Sequence, residues 1–210
     1  MSNSSDLGII GQALEWSYDK AVNGMGLLGT AQEFGDEYLR SSNHHKINAA
    51  NSLIRWQNAK AATTGFVTNV GGLVTLPVAI PTNMASNLYI QLRMIAGIAH
   101  VAGHDVFDDK TKTLCFICLT GNSAAEVIKA AGIQIGNKFT AAAIQKYITG
   151  EMIKSINKAV GFRLATKAGT TGILNFTKMV PLVGGVIGGT FDGVMTNTIG
   201  NTARKAFLEG

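Results

Sequence analysis

The residues best suited to chemistry lie close together near the middle of the chain. His100-x3-His104 and Cys115-x2-Cys118 are separated by ten residues. Imidazole nitrogens and thiolates are the ligands zinc prefers, and each pair has a workable spacing. Two features favour a plainer role. The ten-residue connection is shorter than in most zinc modules. Both cysteines also sit in the apolar run LCFICL, where Cys behaves as a small core side chain. Core packing is therefore expected before a metal site. A redox reading of the Cys pair lacks the βαβ context it needs.

Asp105, Asp108 and Asp109 beside His104 could hold a hard cation, but no Asp-x-Asp-x-Asp-Gly run occurs. Acids placed before an apolar run suit a helix start, where they complement the dipole. Arg93 is the only charged residue between Lys60 and Asp105. A buried arginine is costly unless paired, so Asp105 or Asp192 is the expected partner, with headgroup or ligand recognition as the functional alternative. No Gly-x-Ser-x-Gly elbow is present. Gly71-Gly72, Gly184-Gly185 and Gly188-Gly189 are not followed by the Gly-Lys-Ser/Thr of a phosphate loop. No catalytic residue and no cofactor site is expected, and the reading leans away from an enzyme.

The elements that position these residues are helical. The chain of 210 residues is 46% hydrophobic and only 15% charged, with three prolines. An ordinary domain carries roughly 25% charged residues, so a large core and some spare apolar surface are implied. Runs of alternating Val, Ile and Thr are nearly absent, and helical periodicity dominates. The expected fold is all-α: a single compact multi-helix domain over 1–210, with two Gly/Pro-rich apolar hairpins.

Leu7, Ile10, Leu14 and Tyr18 mark a first helix, with Asp6 as its N-cap. A second is predicted over 25–40. A third begins near Asn43, with Ile47, Ile54 and Ala61 as its packing face. Residues Gly65 to Leu92 carry no charge over 28 positions, longer than the about 20 that span a bilayer. Pro77, Pro81 and several Asn residues interrupt this stretch, which favours a pair of buried helices joined at the prolines. Thr82 should cap the second helix, which runs to Ala102 and stops at Gly103. An apolar helix over 110–120, closed by Gly121, and a short one to Ala131 should follow. Residues 137–168 make one or two basic helices. Pro181 opens the last, whose Gly184, Gly188 and Gly200 permit close helix approach.

Charge is uneven. Residues 127–178 hold eight bases against one acid, a net of +7. Such a half attracts anions; a solvated face is the first reading of these bases, an anionic membrane surface or a membrane protein the next, and nucleic acid the last. Aromatics for base stacking are few there, and on one long helix the bases would scatter round the axis. Spare apolar surface could also join copies of the chain. The start MSNSSDLGII lacks a signal peptide's charged and apolar regions, and two cysteines form no disulfide framework. A cytoplasmic, peripherally membrane-bound protein is expected.

Two blocks carry a family resemblance, strongest over 72–121 and 181–207. The first, GLVTLPVAIPTNMASNLYIQLRMIAGIAHVAGHD, has Pro77 and Pro81 in an apolar turn, then Arg93 in a helix, then Gly103-x-Asp105. The second, PLVGGVIGGTFDGVMTNTIGNTARKAF, begins at Pro181 with closely spaced glycines. Together they resemble the EcsC protein family. The resemblance implies a bacterial helical protein linked to membrane transport or secretion. It brings no catalytic residues, and His100 and His104 depart from its pattern. Two roles follow. The first is a non-enzymatic protein at a membrane surface, where the apolar hairpins pack in the core or insert. The second is a soluble ligand- or metal-binding module, or a hydrolase, around Arg93, His100, His104 and Asp105.

Overall fold

The computed structural model describes residues 4–25, 28–61, 82–133, 141–142, 146, 148–171 and 187–209. Among them are eight α-helices, one 3-10 turn and no strand. They are α1 (Ser4–Asn23), α2 (Ala31–Ser41), α3 (Lys46–Ala61), α4 (Thr82–Ala102), α5 (Asp109–Leu119), α6 (Ala124–Ala130), α7 (Gly150–Thr171) and α8 (Ile187–Leu208). The all-α expectation holds. Pro77, Pro81 and Pro181, and so the turns assigned to them, lie outside the described residues.

Helix α4 is the central post, touching α1, α2, α3, α5 and α8. Its side chains explain why. Leu88, Tyr89, Leu92, Met94, Ile95 and Ile98 are buried on several sides of the axis. A helix apolar all round has no wet face and must be enclosed by others. The same holds for α5, where every residue from Thr113 to Leu119 is buried. Helix α7 closes the other side, against α1, α5 and α6.

Local chemistry sets the helix ends. At Gly103, φ is +100°, a conformation glycine adopts without a Cβ clash. The Gly103 N–H donates to His100 O and the His104 N–H to Ala99 O, which closes α4 in a Schellman motif. Lys46 Nζ adds a bond to Ala102 O at 3.0 Å. Asp108 caps α5 by accepting from the Thr111 N–H at 2.9 Å.

Three local expectations are corrected. Helix α1 begins at Ser4, so Asp6 lies within its first turn. Helix α2 begins at Ala31, not 25, because Thr30 and Glu33 form a capping box: each side chain accepts from the other's backbone N–H. On α3 the buried face is Ala49, Ala50, Leu53, Ile54 and Gln57, while Ile47 is 42% exposed. The seven-residue spacing there misplaced one edge of the face.

Two crossings depend on glycine. A Cβ on Gly35 of α2 would stand 2.9 Å from the Gly97 carbonyl oxygen of α4. A Cβ on Gly200 of α8 would stand 2.6 Å from Ile54 Cγ1 of α3. Gly200 thus acts as its spacing suggested, bringing α8 onto α3.

Candidate functional site

The structure sends the His and Cys residues to separate neighbours. His100, in the last turn of α4, donates through Nε2 to Asp36 Oδ1 of α2 at 2.8 Å. His104 lies past the helix end with its ring 5.2 Å from that of Phe207 on α8. Burial and the nearby Lys46 hold the His104 imidazole below its usual range, against a weaker pull from Asp108. Cys115 and Cys118 are fully buried on α5. Burial pushes the Cys115 thiol up to about 12 and carries Cys118 well above its ordinary value. The Tyr18 hydroxyl reaches Cys115 Sγ at 4.0 Å while donating to Val106 O at 2.8 Å. Among the described residues no three His, Cys, Asp or Glu side chains gather around a common point suited to a metal ion.

The aspartates work on the backbone. Asp105 Oδ1 accepts from the Phe107 N–H at 2.9 Å, a turn-forming bond, and Asp108 caps α5. Asp109 is in the first helical turn. These contacts account for the acidic cluster as helix initiation.

Arg93 is 7% exposed, and no described carboxylate lies within ion-pair distance of it. The side chain of Asp192 lies outside the described residues, and Asp105 is committed to its own turn. Arg93 instead donates from Nε to Gly29 O at 3.2 Å and lays its guanidinium over the Phe34 ring, 4.1 Å from the centroid. Stacking on an aromatic face and a bond to a carbonyl both suit a planar guanidinium. Burial lowers its pKa from the ordinary value, while Tyr89, Glu37, Tyr38 and Glu33 push it back up. This arrangement ties α4 to α2 and to the turn before it.

A different surface has the features of an interaction site. Helix α7 carries Lys154, Lys158 and Phe162 at intervals of four, all exposed, and Phe162 is 53% exposed. Exposed Lys129 of α6 belongs to the helix packed beside it. Between α6, α7 and the start of α1 lies a groove of about 450 Å³, with Leu7, Val127, Ala130, Ala159 and Phe162 as its apolar lining. Lys158, Arg163 and Glu126 stand in its wall. Arg163 is turned inward, bonding Ser123 Oγ at 2.6 Å and pairing with Glu126 at 3.1 Å.

Within α7, Lys154 and Lys158 share one face with Phe162, while Arg163 points to another, so the bases do not form a single stripe. Sequence reasoning missed Phe162 as an exposed residue, although its i, i+4, i+8 relation to the two lysines was there to read. Among the described residues no helix is long and apolar enough to cross a membrane.

No curated protein and no solved structure matches the chain. The model of the EcsC protein family matches residues 32–208, from α2 through α8, so it takes in Arg93 and Phe34, the buried cysteines and α7 together. The match covers most of the sequence, and the chain belongs to the EcsC protein family.

Proposed function

We propose that this protein works without catalysis at an anionic membrane surface, in the service of a membrane transport or secretion system. The observation that carries the reading is Phe162, exposed beside Lys154 and Lys158 at an apolar groove. Lysines next to an anionic leaflet contribute about 1 kcal/mol each, and a neighbouring aromatic adds apolar contact at the interface. The groove beneath Phe162 gives a lipid chain or an apolar side chain of a membrane partner a place to rest.

Flotation of the purified protein with vesicles tests this. Phosphatidylcholine vesicles are compared with vesicles containing phosphatidylglycerol, at low and high salt, with dye leakage read in parallel. Binding to the anionic vesicles alone, weakened by salt and without leakage, is the expected result. Salt-resistant binding with leakage would replace surface docking by insertion of apolar segments. Absence of binding to both vesicle types would overturn the reading.

A further inference from the structure

A second groove, on helices the membrane reading does not use, has a different lining. It lies where α3 and α8 cross and encloses about 460 Å³. Helix α3 supplies Asn48, Asn51 and Arg55, and α8 supplies Asn197, Asn201 and Arg204. On α3 the spacing is i, i+3, i+7, and on α8 it is i, i+4, i+7. Each set therefore occupies one helix face. Ile54 forms the apolar part of the lining, and beside it Gly200 brings the helices together.

The chemistry of this lining is specific. It contains two guanidinium groups, four primary amides and no carboxylate. Arg204 is held in place: one Nη donates to Asn51 Oδ1, and Nε donates to Glu209 Oε1 at 3.0 Å. Arg55 donates to Ser52 Oγ at 3.1 Å. An arginine so fixed presents a planar fork, which matches the oxygens of a phosphate better than a mobile ammonium does. An asparagine amide carries a carbonyl acceptor and an NH2 donor, the complement of a hydroxyl that donates and accepts, although Asn51 Oδ1 already accepts from Arg204. Such a groove suits a small polar ligand, whose usual sites enclose about 300–1,000 Å³.

We infer that the α3–α8 groove binds a phosphorylated polyol, with Arg55 and Arg204 on the phosphate and the four asparagines on the hydroxyls. That chemistry occurs in soluble sugar or inositol phosphates and in the headgroup of phosphoinositide lipids. The inference does not rest on the proposed role of α7, since the two surfaces share no residue.

Calorimetric titration tests it with myo-inositol 1-phosphate, glucose 6-phosphate, free myo-inositol and inorganic phosphate. Co-sedimentation with phosphatidylcholine vesicles containing phosphatidylinositol 4-phosphate forms the lipid arm. Tighter binding of a phosphorylated polyol than of either free polyol or phosphate is expected. Arg55→Gln should weaken it by about tenfold, the loss of one charged hydrogen bond. Arg55 is exposed, so this variant should keep the wild-type melting temperature, and Arg204→Gln serves as the second variant. Saturation by the soluble phosphates identifies a free metabolite as the ligand. Saturation by the lipid vesicles alone identifies the headgroup. Binding of no probe at millimolar concentration, or binding unchanged in both variants, would overturn the inference.

Discussion

The stretch from Arg93 to Cys118 and the outer face of α7 invite opposite first impressions. The first holds nearly all the residue types associated with catalysis and metal binding: Arg, His, Asp and Cys. The second holds lysines and one phenylalanine. The structure reverses the impression. In the first region most such groups have partners within the fold: Arg93 on Phe34 and Gly29, His100 on Asp36, Asp105 and Asp108 on backbone N–H groups, the thiols in the core. In the second, the half-exposed Phe162 lies next to Lys154, Lys158 and an apolar groove. Residue type suggests chemistry, but chemistry needs convergence and access. An exposed aromatic set beside cations and an apolar groove combines both.

The comparison breaks first at Arg93. Arg93→Ala removes a stacked cation and leaves Gly29 O without its donor, so a loss of about 2–3 kcal/mol in unfolding free energy is expected by urea titration. Arg93→Lys should recover only part of it, because an ammonium lacks the planar stacking face. Unchanged stability in Arg93→Ala would mean that the residue is kept for a ligand instead.

The glycine crossing of α2 and α4 gives the next effect. Gly35→Ala sets a methyl group 2.9 Å from a backbone oxygen, which must move, and about 1–3 kcal/mol of stability should be lost. Gly97→Ala makes only ordinary contacts, with Ala31 O and Phe34 Cδ1 each at 3.5 Å. Helix propensity then favours alanine by up to about 1 kcal/mol, so the two substitutions should have opposite signs in thermal melts. Equal losses at both positions would show that the crossing is looser than this geometry.

Thiol labelling sharpens the account of α5. Both thiols are buried and held protonated, so Ellman's reagent should leave the native protein nearly unreacted and titrate both cysteines once it is denatured. Rapid native labelling would show that the pair is open to solvent and restore its candidacy as a redox or metal site.

The smallest effect belongs to His104. Its folded pKa is depressed, so just below the ordinary value of about 6.5 the unfolded chain binds a proton that the folded chain resists. The stability this group contributes is fully present above that value and is lost as pH falls through the interval. His104→Gln should therefore show a smaller drop in urea midpoint than wild type between about pH 7.5 and about pH 5.5. Equal drops would place the titrating group elsewhere.

What the sequence disclosed followed the range of the interactions. The end of α4 at Gly103 and the start of α5 among the aspartates were legible because a helix cap involves residues three or four apart. The start of α2 was equally local, since the Thr30-Ala-Gln-Glu33 capping box lies within the span 25–40 predicted for that helix. Arg93 could be singled out as a charge in apolar surroundings, but not its partners. These lie some sixty residues earlier, and one is a backbone carbonyl, which carries no residue-type signal. The α7 face was legible as an i, i+4, i+8 pattern of Lys154, Lys158 and Phe162, but the exposure of Phe162 depends on which neighbours pack against α7, and these come from α1, α5 and α6. The two Asn/Arg faces of α3 and α8 were visible separately. Only the fold shows that they oppose one another across about 150 residues of sequence, through the Arg204–Asn51 bond.

One measurement addresses the central claim that interaction lies on α7 and the reactive-looking stretch serves the fold. Flotation with phosphatidylglycerol-containing vesicles compares wild type, a Lys154→Glu/Lys158→Glu/Phe162→Ser variant, and a Cys115→Ala/Cys118→Ala variant, each first shown to be folded by circular dichroism. The surface substitutions should change stability by no more than about 0.5 kcal/mol each, so their effect on binding is separable from folding. The account expects the α7 variant to lose vesicle binding and the cysteine variant to bind as wild type does. Wild-type binding by the α7 variant, with loss in the cysteine variant, would contradict it.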